Sequence, residues 1–513
     1  MVTRIGGLAS GMDIDSIVKD MMKAQRIPLD KLKQQKQIAE WQRDDYRNMN
    51  KTLKEFDDYI FANMTLEKDL LKKKVTSSDT SAVTATANAS AANLNMNIQV
   101  TNVAKSATWI SSKTDAAATF GANKTIKLSV TNGDGSQAKV TNGGVATTTI
   151  EIEIAATDKV DDILKKLSDK KELGITAFRD AKSGQVVITK KDTGEQANIK
   201  LDNQESVDVF NFLGFEKDDS GNPAVPALSV GGNLEFRNGS IGKDAKFVIN
   251  GLETSRSANT FTIDNVTYTL HKDNSSANIS LSSDTDNMVD KIVKFVDKYN
   301  EMIEKINGKL TESRYRSYKP LSNEEKEGMS EKQIELWEER AKSGLIKNDS
   351  ILTSTLSKMR LDFYNPVSGS SISQDFSQLA QIGIKTTKSY MEKGKLSIEN
   401  VDKLREAIEK DPNAVFQLFN ADGKATADKG IAKRLRDTIK TTIGNIEEKA
   451  GKQSAVNNQF AIGRNLERLD SQINRFESRL VQIEDRYWRQ FTAMEKAIQR
   501  SNSQSSYLMQ QFS

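Results

Sequence analysis

The chain has 513 residues, of which 37% are hydrophobic, 28% charged and 6% aromatic. This length exceeds the roughly 250 to 300 residues at which a single core stops growing, and so polar a composition predicts several elongated modules with thin cores. The 74 basic and 70 acidic residues leave a formal charge of +4, so no net field favours nucleic acid or an anionic membrane.

The first 74 residues have the pattern of helices. Apolar residues recur at helical spacing from Ile14 onward, and a second series with steps of three and four comprises Tyr46, Met49, Leu53, Phe56 and Ile60. Pro28 predicts that the first segment kinks or ends near Ile27. Acidic residues interrupt any signal-peptide core, and no window approaches the roughly 18 apolar residues of a membrane span. These features indicate a cytoplasmic protein, or one exported without a cleaved signal, with no membrane insertion.

Residues 76–285 have the pattern of antiparallel strands. Apolar and polar residues alternate over 94–100, 126–130 and 150–154, and turn sequences such as TNGDG and VINGLE separate such runs. One helix is predicted where Val160, Ile163, Leu164 and Leu167 share a face. We expect two small β-rich modules with a boundary near residues 221–232.

From residue 286 the pattern is helical again. An apolar stripe with steps of three and four comprises Met288, Ile292, Phe295, Tyr299, Met302, Ile306 and Leu310. Ser322 with Glu325 and Ser330 with Gln333 have capping-box spacing, and Gly344 stands where a helix C-cap belongs. Asp411 and Pro412 are predicted as the N-cap and first residue of another helix.

The last helix carries the strongest periodic signal. Its heptad-spaced apolar residues are Ile462, Leu466, Leu469, Ile473, Phe476, Leu480, Ile483 and Tyr487, and after a stutter Phe491, Met494 and Ile498 continue the stripe. This pattern predicts roughly 38 helical residues, followed by a flexible SNSQSS and an apolar YLMQQFS. A single long helix is marginal in water, so the stripe needs a partner. The N-terminal helix, which has the same step pattern, is the intrachain candidate.

Signatures of catalysis and metal binding are scarce. The chain has no cysteine and a single histidine, His271, which excludes disulfides and cysteine-ligated zinc and argues against a serine–histidine–aspartate triad. Glu151 and Glu153 alternate with isoleucines, so we expect them on a solvated strand face, and TNGDGSQ is better explained as a hairpin turn than as a calcium loop. No glycine motif completes a nucleotide-binding spacing. We therefore predict no enzyme activity, no cofactor and no nucleic-acid partner.

Several blocks of this sequence resemble the flagellar filament cap family, also called flagellar hook-associated protein 2. They are RIGGLASGMDIDSIVKDMMKAQRIPLDKL, GKDAKFVINGLETSRSANTFTIDNVTYTL, DNMVDKIVKFVDKYNEMIEKI, YKPLSNEEKEGMSEKQIELWEERAKSGLIKND, IGIKTTKSYMEKGKLSIEN and DRYWRQFTAMEKAIQRSNSQSSYLMQQ. They occur in the family's order and cover most of the chain outside residues 76–230. Residues 150–200 are similar, more weakly, to a small repeat of flagellin and hook proteins.

The resemblance implies an extracellular structural protein at the tip of the growing flagellum. Members of the family leave the cell through the flagellar type III export apparatus without a cleaved signal, after a cytoplasmic export chaperone has held the C-terminal segment. They assemble as a ring-shaped homo-oligomer whose β-rich heads form a plate, and their terminal helices act as legs on the filament. Flagellin folds and inserts beneath the plate, and hook-associated junction proteins are neighbouring components.

The predicted fold is therefore α+β and multidomain. Paired N- and C-terminal helices form a coiled-coil or helical-bundle leg, and small antiparallel β-rich heads are inserted between them. We expect residues 1–45 to form a leg helix that pairs with 465–513 and is disordered in the monomer. A helical stalk would comprise 46–75 with 286–464, an inner head 76–120 with 228–285, and an outer head 121–227.

The predicted contacts with filament, neighbouring subunits and chaperone lie at both chain ends. They are Ile5, Gly6, Gly7, Leu8, Gly11, Met12, Asp13, Ile14, Ile17, Met21, Tyr487, Trp488, Phe491, Met494, Tyr507, Leu508, Met509 and Phe512. For Trp41 and Trp488, packing in the seam and anchoring of an interface are equally favoured. A hook–filament junction protein is the nearest alternative function, and a host-surface or mucin adhesin acting through the β heads is another.

Overall fold

The computed structural model describes residues 11–142, 145–216, 227–234, 238–369, 372–387 and 394–512. It divides into two compact units: a helical unit of residues 1–71 and 285–513, and a β-rich unit of residues 72–284. The helices are α1 (Ile14–Met64), α2 (Glu67–Leu70), α3 (Val160–Asp169), α4 (Gln204–Phe210), α5 (Thr285–Thr311), α6 (Asn323–Glu327), α7 (Glu331–Lys342), α8 (Ser350–Tyr364), α9 (Val401–Lys410), α10 (Pro412–Asn420), α11 (Ile431–Ala450) and α12 (Ala461–Phe512).

Eighteen strands are described, and all but two of them lie in the β-rich unit. They are β1 (Lys73–Ser77), β2 (Val83–Ala87), β3 (Leu94–Asn102), β4 (Ser106–Lys113), β5 (Lys124–Thr131), β6 (Val140–Asn142), β7 (Val145–Thr147), β8 (Thr149–Ile154), β9 (Ile175–Arg179), β10 (Gln185–Thr193), β11 (Asn198–Leu201), β12 (Ala245–Ile249), β13 (Leu252–Arg256), β14 (Thr260–Ile263), β15 (Val266–Leu270), β16 (Ser275–Ser283), β17 (Ile384–Thr386) and β18 (Leu396–Ile398).

The helical unit is built around α1, α5, α8 and α11. The predicted stripes of α1 and α5 are buried throughout, because each helix presents one apolar face to the others. Aromatic rings join the helices: Phe295 of α5 stacks on Phe56 of α1 at 5.7 Å between centroids, and Tyr299 meets Phe363 of α8 edge-on at 4.7 Å. This core holds the second half of α1 in place and so positions its first half.

Two hydrophobic cores lie among the described residues of the β-rich unit. One lies between the five-stranded antiparallel sheet β1-β16-β3-β12-β13 and the three-stranded sheet β14-β15-β2. The other is enclosed by the sheets β4-β10-β9 and β11-β5-β8 with α3 and α4, and includes Trp109 of β4. Strand β4 therefore shares a core with the strands that follow it. The domain boundaries given above stay predictions.

The local signals of the sequence are confirmed in detail. Alternating burial occurs along β3, β5 and β8, and Glu151 and Glu153 face solvent. Both capping boxes are present, and the Asp411 side chain caps α10, whose first residue is Pro412. Gly344 adopts a left-handed φ of 66° just after α7, a conformation that glycine reaches at little cost.

One expectation about the terminal helices was wrong, and one of two alternatives for α1 is excluded. Helix α1 does not end at Ile27, because it continues through Pro28 as far as Met64; packing along its length outweighs the backbone hydrogen bond that proline cannot make. The alternative of a kink near Ile27 stays a prediction. Helix α12 extends over 52 residues to Phe512, so the SNSQSS stretch is helical and does not separate the helix from YLMQQFS.

Candidate functional site

The first turn of α1 is defined by its N-cap. The Asp13 carboxylate accepts a hydrogen bond from the Ser16 backbone N–H at 2.9 Å, which satisfies one of the unpaired amides of the helix end and places a negative charge at the positive end of its dipole. From there α1 buries Ile14, Val18, Met22 and Leu29. Steps of four and seven keep these side chains on one face.

Helix α12 supplies the opposite half of the same apolar cluster. Ile473, Leu480 and Trp488 are buried, and Phe476, Ile483, Tyr487 and Phe491 pack against them while half-buried. We call this cluster, with its α1 members and the half-buried Leu32, the terminal seam. The two ends of the described chain are thus joined by side-chain packing, with the β-rich unit inserted in the sequence between them. The pairing of terminal helices that periodicity predicted is confirmed.

Ion pairs beside the terminal seam show that the two helices are antiparallel. Lys33 pairs with Glu477 at 2.8 Å, and Lys36 pairs with Asp470 at 2.6 Å. The hydrogen bond to Asp470 raises the pKa of Lys36. Exposed ion pairs of this kind contribute about 0 to 1 kcal/mol each. We therefore expect the apolar seam to supply most of the free energy that holds the two helices together, and the ion pairs to fix their register. Extending the register places Ile14 opposite the turn of α12 that carries Phe491 and Met494.

A buried polar cluster anchors α1 to the rest of the helical unit. The Tyr46 hydroxyl donates to the Asp349 carboxylate at 2.5 Å, and Lys449 donates to the same oxygen at 2.9 Å. Asp349 also caps α8 by accepting from the Leu352 N–H. Burial acts to raise the pKa of Asp349, but the hydrogen bonds from Tyr46 and Lys449 outweigh it, so the pKa lies below its usual range. The cluster joins α1, α8 and α11 through one carboxylate.

We expect Asp349→Asn to destabilise the chain by about 1 to 3 kcal/mol at pH 7, because a charge-assisted network loses its anion while buried donors remain. A carboxylate whose folded pKa is lowered stabilises the fold above its unfolded pKa, near 3.9, and loses that contribution as pH falls through the folded value. The difference between wild type and variant should therefore shrink at pH 3. Urea denaturation at pH 7 and pH 3 measures it, and an unchanged difference would contradict this role for Asp349.

The structure distributes the predicted contact residues over three environments. Ile14 and Trp488 are buried in the terminal seam, and Ile17, Tyr487, Phe491 and Met494 are half-buried. Gly11, Met12, Asp13 and Met21 are exposed, as are Tyr507, Leu508 and Met509. Ile5, Gly6, Gly7 and Leu8 lie outside the described residues, as does the side chain of Phe512. For all the predicted contact residues, binding to filament, neighbouring subunits or chaperone stays a prediction.

Sequence reasoning about contacts missed the residues that face inward from α1. Met22 is buried while Met21 is exposed, and Val18 and Leu29 join the seam although none of the three was among the predicted contacts. The available signal was the spacing from Ile14 to Val18 to Met22, two steps of four, which continues to Leu29 by a full heptad. Because Met21 and Met22 are adjacent and equally hydrophobic, hydrophobicity alone did not show which of them faces the seam.

Within the described part of the chain, no group of His, Asp or Glu side chains has the arrangement of a metal site. The described helices include none that is long and apolar enough to cross a membrane. The candidate site is a packing surface: a helix pair with an apolar seam, from which α12 continues with three exposed apolar side chains among its described residues.

Antiparallel terminal helices with β-rich modules inserted in the sequence between them define the architectural class of this chain, an α+β multidomain protein. Two family models match, "Flagellar hook-associated protein 2 N-terminus" over residues 10–107 and "Flagellar hook-associated protein 2 C-terminus" over residues 242–503. The chain is 33% identical over 541 aligned residues to the flagellar hook-associated protein 2 of Halalkalibacterium halodurans, covering 99% of both chains. The protein belongs to the flagellar hook-associated protein 2 family.

More distant relatives agree with this assignment. The flagellar hook-associated protein 2 of Escherichia coli K12 is 26% identical over 534 aligned residues, covering 99% of this chain and 97% of the relative. A crystal structure of the D1-D2-D3 domains of the Escherichia coli flagellar cap protein FliD superposes with a TM-score of 0.57 at 21% identity, covering 83% of this chain and 99% of that one. This superposition shows that the fold is shared.

Proposed function

We propose that this protein is a structural cap at the distal end of the bacterial flagellar filament. In this role it acts without catalysis, as a ring-shaped homo-oligomer outside the cell, helping exported flagellin to fold and insert and preventing its loss. Its other partners are hook-associated junction proteins and, before export, a cytoplasmic chaperone and the type III export apparatus. Family membership supports this function and favours it over a junction protein or a host-surface adhesin.

The observation that carries the proposal is the continuation of α12 beyond the terminal seam. Tyr507, Leu508 and Met509 are 62%, 52% and 77% exposed on a helix that packs against α1 between Ile473 and Phe491. Exposed apolar side chains grouped at one helix end are typical of an interaction surface. A cap needs such a surface because it has to bind the filament end and its own neighbours.

We expect deletion of residues 487–513 to abolish filament capping while leaving the β-rich unit folded. The deletion removes Trp488 from the terminal seam together with the exposed apolar end of α12. Capping is measured as filament length and flagellin lost to the medium in cells that carry the truncated chain. Circular dichroism and limited proteolysis of the purified chain report on the β-rich unit.

A milder variant separates loss of contact from loss of fold. The triple change Tyr507→Ser, Leu508→Ser and Met509→Ser alters exposed side chains alone and should impair capping with unchanged thermal unfolding. Its matched control replaces Tyr364, Leu361 and Val456 by serine, since these side chains are 75%, 55% and 58% exposed elsewhere on the helical unit. Normal filaments with the deletion, or equal defects in the two triple variants, would refute the assignment.

A further inference from the structure

A groove of about 500 Å³ lies beside the terminal seam. Helix α1 forms its floor between Met22 and Gln37, α12 forms one wall, and the segment from Pro320 through α6 with part of α7 forms the other. The volume falls within the roughly 300 to 1,000 Å³ of typical ligand pockets. The groove follows 16 residues of α1, or about 22 Å at the helical rise.

The groove has an apolar base and an apolar rim. Leu29 and Leu480 are buried at its base, whereas Val481 on its rim is 61% exposed. An apolar side chain that entered the groove would therefore meet the edge of the terminal seam, and Val481 would lose its contact with water.

Acidic groups are in excess along the groove. Its three basic side chains are each paired with a lining carboxylate: Arg26 with Glu324 at 3.6 Å, Lys33 with Glu477 at 2.8 Å and Lys326 with Glu338 at 2.8 Å.

Two further lining carboxylates, Asp30 and Glu484, form no ion pair with any described residue. Burial and the nearby Glu324 raise the pKa of Asp30, and this rise outweighs the opposing effect of Lys33 and Arg26. The groove therefore favours an occupant that brings about two positive charges.

The end of α12 has this chemistry. We call residues 496–512 the α12 tail. Its only charged side chains are Lys496 and Arg500, and Tyr507, Leu508 and Met509 supply exposed apolar groups. From Lys496 to Leu508 the helix extends about 18 Å, less than the length of the groove. Charge, apolar content and length of the tail thus match those of the groove.

The tail cannot enter the groove of its own chain while α12 is intact. Val481 and Leu508 lie on the same continuous helix, and 27 residues separate them by about 40 Å. The occupant must therefore come from another molecule. Because groove and tail are different surfaces, such contacts are head-to-tail and can close into a ring.

We propose that this groove binds the α12 tail of a second copy of this chain, with Arg500 facing Glu484 and with Leu508 against the Val481 rim. The inference deepens the proposed function by naming the partner of the tail, and it rests on that function for its place at the filament tip. The contact orders neighbouring subunits around a ring, since each chain offers one groove and one tail.

Disulfide cross-linking tests the contact directly, because the chain contains no cysteine of its own. Full-length chains with Val481→Cys are mixed with full-length chains with Leu508→Cys and oxidised. We expect a covalent dimer that contains one chain of each kind, in large excess over what either variant forms alone. The double variant should form a ladder of higher oligomers, whereas an intramolecular product alone would overturn the proposal.

The matched control replaces Val481→Cys by Val401→Cys, since Val401 is 44% exposed on α9. Equal cross-linking of Leu508→Cys to both positions would mean random collision and would overturn the proposal. Adding Arg500→Glu to the Leu508→Cys chain should slow cross-linking about tenfold, as when an interfacial ion pair becomes a like-charge pair. Glu484→Arg in the partner chain should restore the rate, and failure to restore it would contradict the assigned contact.

These readouts are separate from those of the proposed function. If the 487–513 deletion abolishes capping but Val481→Cys and Leu508→Cys chains show no specific cross-linking, the groove contact is refuted and the cap function is still supported. Specific cross-linking together with normal filaments in the deletion strain would support the groove contact and refute the cap function.

Discussion

Replacing Arg434 by methionine should lower the free energy of unfolding of the helical unit by about 3 to 5 kcal/mol, as does the removal of one partner from other buried charged networks. Arg434 lies on α11 and is 2% exposed. Its guanidinium donates to five backbone carbonyl oxygens, those of Thr426, Ala427, Asp362, Asn365 and Pro366. One side chain thus satisfies the acceptors of two separate chain segments.

The size of this effect follows from the acceptors left behind. Methionine fills much of the volume but donates no hydrogen bond, so each buried carbonyl that water cannot reach costs about 1 to 3 kcal/mol. Arg434→Lys should be intermediate, since an ammonium has three donors and lacks the planar guanidinium geometry. Urea denaturation followed by circular dichroism measures the change.

The control for Arg434 is Lys440→Met on the same helix. Lys440 is exposed, so we expect a change within about 0.5 kcal/mol, as is usual for surface substitutions. Comparable stability of the Arg434 and Lys440 variants would show that the five hydrogen bonds contribute little.

Trp109→Ala should have an effect of similar size in the β-rich unit, about 3 to 5 kcal/mol, as is typical of large-to-small aromatic substitutions in a core. Trp109 has no exposed surface, and its indole N–H donates to the Leu234 carbonyl at 2.8 Å. The substitution leaves a large cavity between β4 and the neighbouring strands and removes the donor for a buried carbonyl.

The expected loss is local. Hydrogen–deuterium exchange of the full chain should accelerate in β4, β5 and β8–β11, which enclose this core, and remain unchanged in α1 and α12. Phe178→Ala on β9 is the matched control, because this aromatic side chain is 55% exposed and its removal opens no cavity. Equal acceleration of exchange in the two variants would contradict the role given to Trp109.

Periodicity predicted most of the architecture, because it reflects which face of an element avoids water. The stripes of α1, α5 and α12 and the alternation of β3, β5 and β8 were all readable, as were the caps at Ser322, Ser330 and Asp411. Each of these patterns depends only on residues within the element or next to its ends. The pairing of the terminal helices also followed, since two unpartnered seams with the same step pattern predict each other.

What could not be predicted depends on contacts between distant segments. The passage of α1 through Pro28 runs against local preference, and packing of the wider fold decides such a case. The helical state of the exposed residues 501–511 at the end of α12 was likewise not predicted from the sequence. Three of the five carbonyls around Arg434 belong to residues about 70 positions away. The carboxylate shared by Tyr46 and Lys449 and the core in which Trp109 lies also join residues far apart in sequence. No local pattern reveals such partners.

The sequence by itself determined that this is a multidomain α+β protein with paired terminal helices, inserted β modules and resemblance to a flagellar family. These properties are carried by local periodicity and by blocks of residues that stand in a recognisable order. Only the tertiary structure decided that Met22 and not Met21 faces the terminal seam, and that α6 and α12 enclose an acidic groove over α1. The physical reason is that burial depends on which surface lies opposite, and that surface is contributed by residues hundreds of positions away.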